Sequence, residues 1–96
     1  MSLLHDVVLA LDVKAEAAGG YPVYVKARDI APDVESTARC VGARMAYLGE
    51  ADVPIEVDIW SETSGASTYV VEADGRRRVR EYIRTLEGEP EPKLTA

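Results

Sequence analysis

The chain has 96 residues, 47% hydrophobic and 29% charged, enough for one domain with a modest core and too apolar for a disordered chain. No apolar stretch approaches the ~18 residues needed to cross a bilayer, and the single cysteine, Cys40, excludes an internal disulfide and a multi-cysteine zinc site. With 17 acidic against 11 basic residues and a net charge of −6, the chain lacks the overall basic surface usual in nucleic-acid-binding proteins.

Met1 to Asp6 has no basic segment ahead of its apolar residues, so no secretory signal is expected and the chain is assigned to the cytoplasm. Leu3, Leu4, Val7, Val8 and Leu11 recur at helical spacing, continued by Ala15 and Ala18. Ser2 before them and Gly19-Gly20 after them predict a first helix over 3–18. Tyr21 to Val25 is rich in β-branched and aromatic residues, and Pro22 restricts it to an edge strand or a strand start. Residues 27–34 predict a short helix with Ile30, Ala31 and Val34 inward, limited by Pro32. Ser36 then caps a helix carrying Val41, Met45 and Leu48 at i, i+4 and i+7, with Ala38 extending the stripe and Gly49 near its end.

Ile55, Val57 and Ile59 alternate with Glu56, Asp58 and Trp60, the period of a half-buried strand. Residues 61–67 read as a polar loop and 68–72 as a returning strand, making a hairpin. Asp74 is placed to cap a last helix in which Val79, Tyr82, Ile83 and Leu86 share one face, and Gly88 ends it. That face either closes the core or forms a two-fold contact with a second copy, so a homodimer is expected. The domain thus spans 1–88. Residues 89–96, acidic and proline-containing with no apolar face, read as a disordered tail.

The charge is uneven. Residues 48–75 carry seven acidic residues and no Lys or Arg, whereas 26–47 sum to +1 and 76–96 to +2. Arginine outnumbers lysine and phenylalanine is absent. Such a profile suits a proteome adapted to high salt.

The predicted order is helix, strand, helix, helix, hairpin, helix: an α+β chain in the winged helix-turn-helix order, with a three-helix core, a β-hairpin wing and an extra C-terminal helix. The run Lys26-Ala27-Arg28-Asp29-Ile30-Ala31, then Ser36-Thr37, Val41-Gly42, Met45 and Leu48 resembles the helix-turn-helix core of winged-helix transcription regulators. Together with Trp60-Ser61 and Ser64-Gly65 it is more closely similar to small haloarchaeal winged-helix proteins of unassigned role. The likeness covers about residues 3–75 and rests on residue classes.

What the resemblance implies is double-stranded DNA as partner, with helix 36–48 as recognition helix. Ser36 and Thr37 at its start, and Arg39, Ala43 and Arg44 off the buried stripe, would face the groove. Lys26 and Arg28 would grip flanking phosphates. The cluster Arg76, Arg77 and Arg78 would hold phosphate or a partner's acidic hairpin. Two features depart from the family pattern. Ala27 stands where a Ser or Thr cap is usual, and the wing carries Glu62 with no Lys or Arg. The rival reading is a protein-interaction module whose acidic hairpin docks a basic partner.

No Gly-rich phosphate loop, nucleophile elbow or metal-spaced cluster occurs, so no catalytic residue, metal or cofactor is assigned and an enzyme is not expected. His5 reads as a surface histidine beside Asp6, and Cys40 as a semi-buried thiol.

Overall fold

A computed structural model describes residues 2–63 and 66–92 of the chain. Ser2 accepts a hydrogen bond at Oγ from the His5 N–H, 3.1 Å, and so starts helix α1, Leu3–Ala17. Leu4, Val7, Val8, Leu11 and Ala15 form its buried stripe, whereas Ala18, expected to continue it, is exposed. The helix ends where Gly19 and Gly20 turn to φ +91° and +129°, and the Gly20 N–H reaches back to the Ala15 carbonyl, 2.7 Å.

Strand β1, Val23–Lys26, follows Pro22, which has no N–H to offer a neighbour. The predicted helix over 27–34 divides into α2, Ala27–Ile30, and a 3₁₀ turn, Ala31–Val34, with Pro32 in its first turn. Ile30 and Ala31 are buried and Val34 is half-buried. Glu35 then adopts φ 52°, which lets the Ser36 N–H reach the Ala31 carbonyl, 3.0 Å.

The Ser36 N–H closes that turn, and the cap of the next helix is Thr37, not the expected Ser36. Its Oγ1 accepts from the Cys40 N–H, 3.2 Å, and helix α3 runs Ala38–Glu50 instead of 36–48. Val41, Met45 and Leu48 are buried as the periodicity requires, but Ala38 lies in the exposed first turn.

Strands β2, Ile55–Thr63, and β3, Ala66–Ala73, are longer than expected. Ser61, Glu62 and Thr63, assigned to a loop, pair with Thr68, Ser67 and Ala66. A backbone ladder needs no apolar side chains, so a ribbon projecting past the core can be polar throughout. The expectations that fell on Ser64 and Gly65 lie outside the described residues. β1 pairs antiparallel with β3, giving the order β1-β3-β2.

The register slips between Ile59 and Ser61, leaving Trp60 as a bulge residue. The row Val23, Val71 and Val57 is the last fully apolar one over the helices. Ile59 shares the face of Val57, as the alternation requires, but lies beyond that row and is 56% exposed instead of buried.

Asp74 does not cap the last helix. Its N–H donates to the Pro54 carbonyl, 2.8 Å, closing the hairpin base, and its carboxylate takes the Arg78 guanidinium. Gly75, at φ 151°, stands at the cap position of α4, Arg76–Glu87. Val79, Ile83 and Leu86 of α4 are buried, and α4 packs on α1. The face that might have made a two-fold contact is thus turned inward within one chain. The architecture is α+β, with helices on one face of a three-stranded antiparallel sheet. Among the described residues no helix is long and apolar enough to cross a membrane.

Candidate functional site

Three sequence-predicted cations converge. Lys26 ends β1 and occupies the cap position of α2, with φ −110° and ψ 148° and no side-chain cap hydrogen bond. The missing capping hydroxyl thus belongs to position 26, one residue before the position expected. Arg28 is exposed on α2, and Arg39 is exposed in the first turn of α3. Together with Ser67 and Tyr69 of β3 they line a cleft of about 250 Å³. No acidic residue lines it, and among the described residues Lys26, Arg28 and Arg39 enter no ion pair.

Gly42 belongs to the wall of this cleft, not to the outward face of α3. A Cβ there would lie 3.9 Å from the Tyr69 hydroxyl, an ordinary contact, which places α3 and β3 side by side at this wall. Ala43 is exposed as expected. With Arg39, Ala46 and Glu50 it forms the solvent-facing row of α3.

Arg44 is not on that row. Its side chain is only 17% exposed, its Nε donates to Glu91 Oε1 at 2.9 Å, and an Nη donates to the Cys40 carbonyl at 3.2 Å. Glu91 Oε2 also accepts from the Leu4 N–H, 3.2 Å. The residue therefore sits on the flank of α3 that faces the start of α1, neutralised by a carboxylate from beyond α4. Residues 93–96 of the tail lie outside the described residues, but Glu91 departs from the expected disorder because Arg44 and an uncapped α1 N–H give it two partners.

Ser36 and Thr37 lie just before α3, beside Cys40, whose N–H donates to Thr37 Oγ1. The side chains of Thr37 and then Ser36, ahead of the charges of Arg44 and Arg39, hold the thiol below its ordinary range against the opposing effect of burial.

Arg76, Arg77 and Arg78 do not join the cleft. Arg76 pairs with Glu16 of α1 at 3.3 Å, Arg77 with Glu81 at 3.7 Å, and Arg78 with Asp74. These carboxylates offset the repulsion between three guanidiniums and the positive end of the α4 dipole.

At the other end of the hairpin the charge reverses. Glu56 stands directly opposite Glu72, and both line a second cleft, of about 440 Å³, with Asp52 and Asp74. Thr68, the partner of Lys26, lies four positions before Glu72 on β3, about 13 Å along the strand. Among the described residues no group of three or more His, Cys, Asp or Glu is arranged to hold a metal ion.

His5 corrects another expectation. It is buried at 3% exposure between α1 and α4, with Nδ1 3.0 Å from Asp6 and Nε2 3.9 Å from Glu87. Of the cleft residues, Ser67 falls in the stretch 61–67 expected as a loop, and Tyr69 inside the expected strand 68–72. Tyr69 was legible from its two-residue spacing to the inward Val71.

A family model described as a domain of unknown function, DUF7123, matches residues 10–73, more than half of the chain. The match takes in the cleft and leaves out α4 and the Arg76–Arg78 cluster. No curated protein and no solved structure matches.

Proposed function

The chain belongs to the domain family of unknown function DUF7123, and we propose that it is a winged helix-turn-helix domain that binds double-stranded DNA through α3. The helix, strand, helix, helix, hairpin, helix order and the β1-β3-β2 sheet support this reading, since they set α3 beside a long hairpin. The observation that carries it is the cleft: three cations and no carboxylate in a chain of net charge −6.

On this reading Arg39 reaches a guanine edge or a phosphate from the first turn of α3, with Ala43 and Ala46 leaving room for the groove wall. Lys26 and Arg28 grip flanking phosphates, and the Ser67 and Tyr69 hydroxyls add neutral donors. Glu50 closes the outward row with a charge that phosphate repels, so the first half of α3 does the reading. The hairpin contributes hydroxyls and no cation. Arg44 takes no part, being held by Glu91 in a largely buried pair, and Arg76 to Arg78 do not line the cleft.

Three neutralised phosphates correspond to a log–log salt slope of about −2.7. Binding titrations against pooled genomic fragments, at low and at molar salt, test this. Arg39→Glu is expected to lose binding with unchanged melting, and Lys26→Ala to flatten the slope by about 0.9. A wild type that selects no sequence at any salt refutes the reading.

The rival is a protein-interaction module. It draws on the Glu56–Glu72 pair, whose directly opposed carboxylates destabilise the free hairpin and would be relieved by a basic partner. In that case Arg39→Glu is silent, while Glu56→Gln stabilises the free domain and weakens the complex.

A further inference from the structure

Helix α1 is apolar on two sides. Beneath its buried stripe runs a second row, Asp6, Leu9, Ala10, Val13, Lys14 and Ala17, at spacings of three and four residues. This row faces a groove of about 570 Å³ closed on its far side by Asp33, Val34 and Glu35 of the 3₁₀ turn. Leu9 is 42% and Val13 57% exposed, which makes them two of the five large hydrophobic residues that the fold leaves in water among the described residues. The other three, Tyr24, Ile59 and Trp60, lie on the sheet and hairpin.

We propose that this face is the contact of a two-fold dimer, in which α1 packs antiparallel against α1 of a second copy. The charges of the row select that occupant. About a two-fold axis at the level of residues 10 and 11, Leu9 of each copy faces Val13 of the other. Lys14 of each then falls within about 3 Å, along the axis, of Asp6 of the other, well inside the reach of a lysine side chain; Asp6 meets His5 through Oδ1 and is half-exposed, leaving its other oxygen for that lysine. Each apolar pair and each ion pair occurs twice, as an isologous contact requires. Ala10, next to the axis, is small enough for two helices to approach closely.

Lys14 is available for this role. Its Nζ lies 3.8 Å from Asp33 in the same chain, a loose pair between partly exposed groups. The remaining rim, Asp33 and Glu35, is acidic; it attracts Lys14 of the second copy and repels that copy's own rim, so the apolar Leu9–Val13 pairs hold the contact and Lys14–Asp6 sets its register. The α4 stripe offers no competing contact, because Val79, Ile83 and Leu86 are already buried in the chain's own core.

Sedimentation equilibrium of the full chain, from micromolar to millimolar concentration and without nucleic acid, tests the proposal independently of the cleft. A reversible dimer is expected, weakened at least roughly tenfold by Val13→Glu and by Leu9→Glu. Both side chains are exposed, so far-UV circular dichroism should match the wild type, as should melting at concentrations low enough for the wild type to be monomeric. Lys14→Asp is expected to dissociate the dimer through two repulsive pairs, and adding Asp6→Lys in the same chain to restore it. A wild type that is monomeric throughout overturns the proposal, as does a dimer that survives Val13→Glu. A single charge reversal that dissociates the dimer without rescue by the double reversal overturns the antiparallel register.

Discussion

Replacing Gly49 by alanine tests how α3 is seated on the sheet. A Cβ at this position would lie 2.6 Å from the Val57 carbonyl oxygen, about 0.4 Å inside the 3.0 Å that real Cβ contacts do not undercut. The obstructing atom is backbone, in a strand tied to β3 at the Val57–Val71 pair, so it cannot swing aside as a side chain would. The last turn of α3 must therefore lift off β2 or unwind after Leu48. Helix propensity acts in the opposite direction, favouring alanine over glycine by about 1 kcal/mol. Overpacking costs about 1–3 kcal/mol. The balance is a destabilisation of up to about 2 kcal/mol, which lowers the melting temperature of a domain this size by roughly 10 °C. Ala43→Gly on the exposed row of the same helix is the control, losing about 1 kcal/mol by propensity alone. Urea unfolding followed by far-UV circular dichroism measures both. If Gly49→Ala is more stable than the wild type by the propensity increment, α3 does not close on Val57 and the packing argument fails.

Other perturbations act on polar contacts. Glu91→Ala removes the carboxylate that meets Arg44 and the Leu4 N–H, and is expected to cost about 1 kcal/mol. A chain ending at Gly88 that melts with the full-length protein would contradict this. Tyr21→Phe deletes the hydroxyl that donates to Asp12 Oδ1 at 2.8 Å. Asp12 is 6% exposed, so stranding its carboxylate is expected to cost about 2 kcal/mol, seen as a lower urea midpoint at unchanged slope. Burial, followed by the nearby Tyr47 and Glu89, pushes the Tyr82 phenol up to about 12. The folded state then holds that proton longer than the unfolded chain, whose tyrosine titrates near 10. The stability from this difference is complete below about pH 10 and declines as pH rises toward 12. Tyr82→Phe should flatten part of that alkaline decline in melting temperature; an unchanged profile would show that Tyr82 is not shielded.

The rest of the molecule divides by the range of the physics involved. Short-range signals were legible in the chain. Val41, Met45 and Leu48, spaced four and three apart, had to share a buried face. Ser2 had to serve the N–H groups that α1 leaves unpaired, and two consecutive glycines had to end that helix. The α+β order, the convergence of Lys26 and Arg28 at the β1–α2 corner, and the outward placement of Arg39 and Ala43 follow from such local rules.

Contacts between residues far apart in sequence were not legible. Arg39 and Arg44 are both arginines off one buried stripe, and nothing in their neighbourhood separates a solvent-facing cation from one neutralised by Glu91, forty-seven positions away. The hairpin's length, the slip at Trp60 and the exposure of Ile59 depend on where the helices stop covering the sheet. The inward turn of the α4 stripe depends on α1 lying beneath it. Periodicity alone determines which residues share a face; only the assembled chain decides what that face meets, because burial and charge pairing are properties of neighbours brought together by folding.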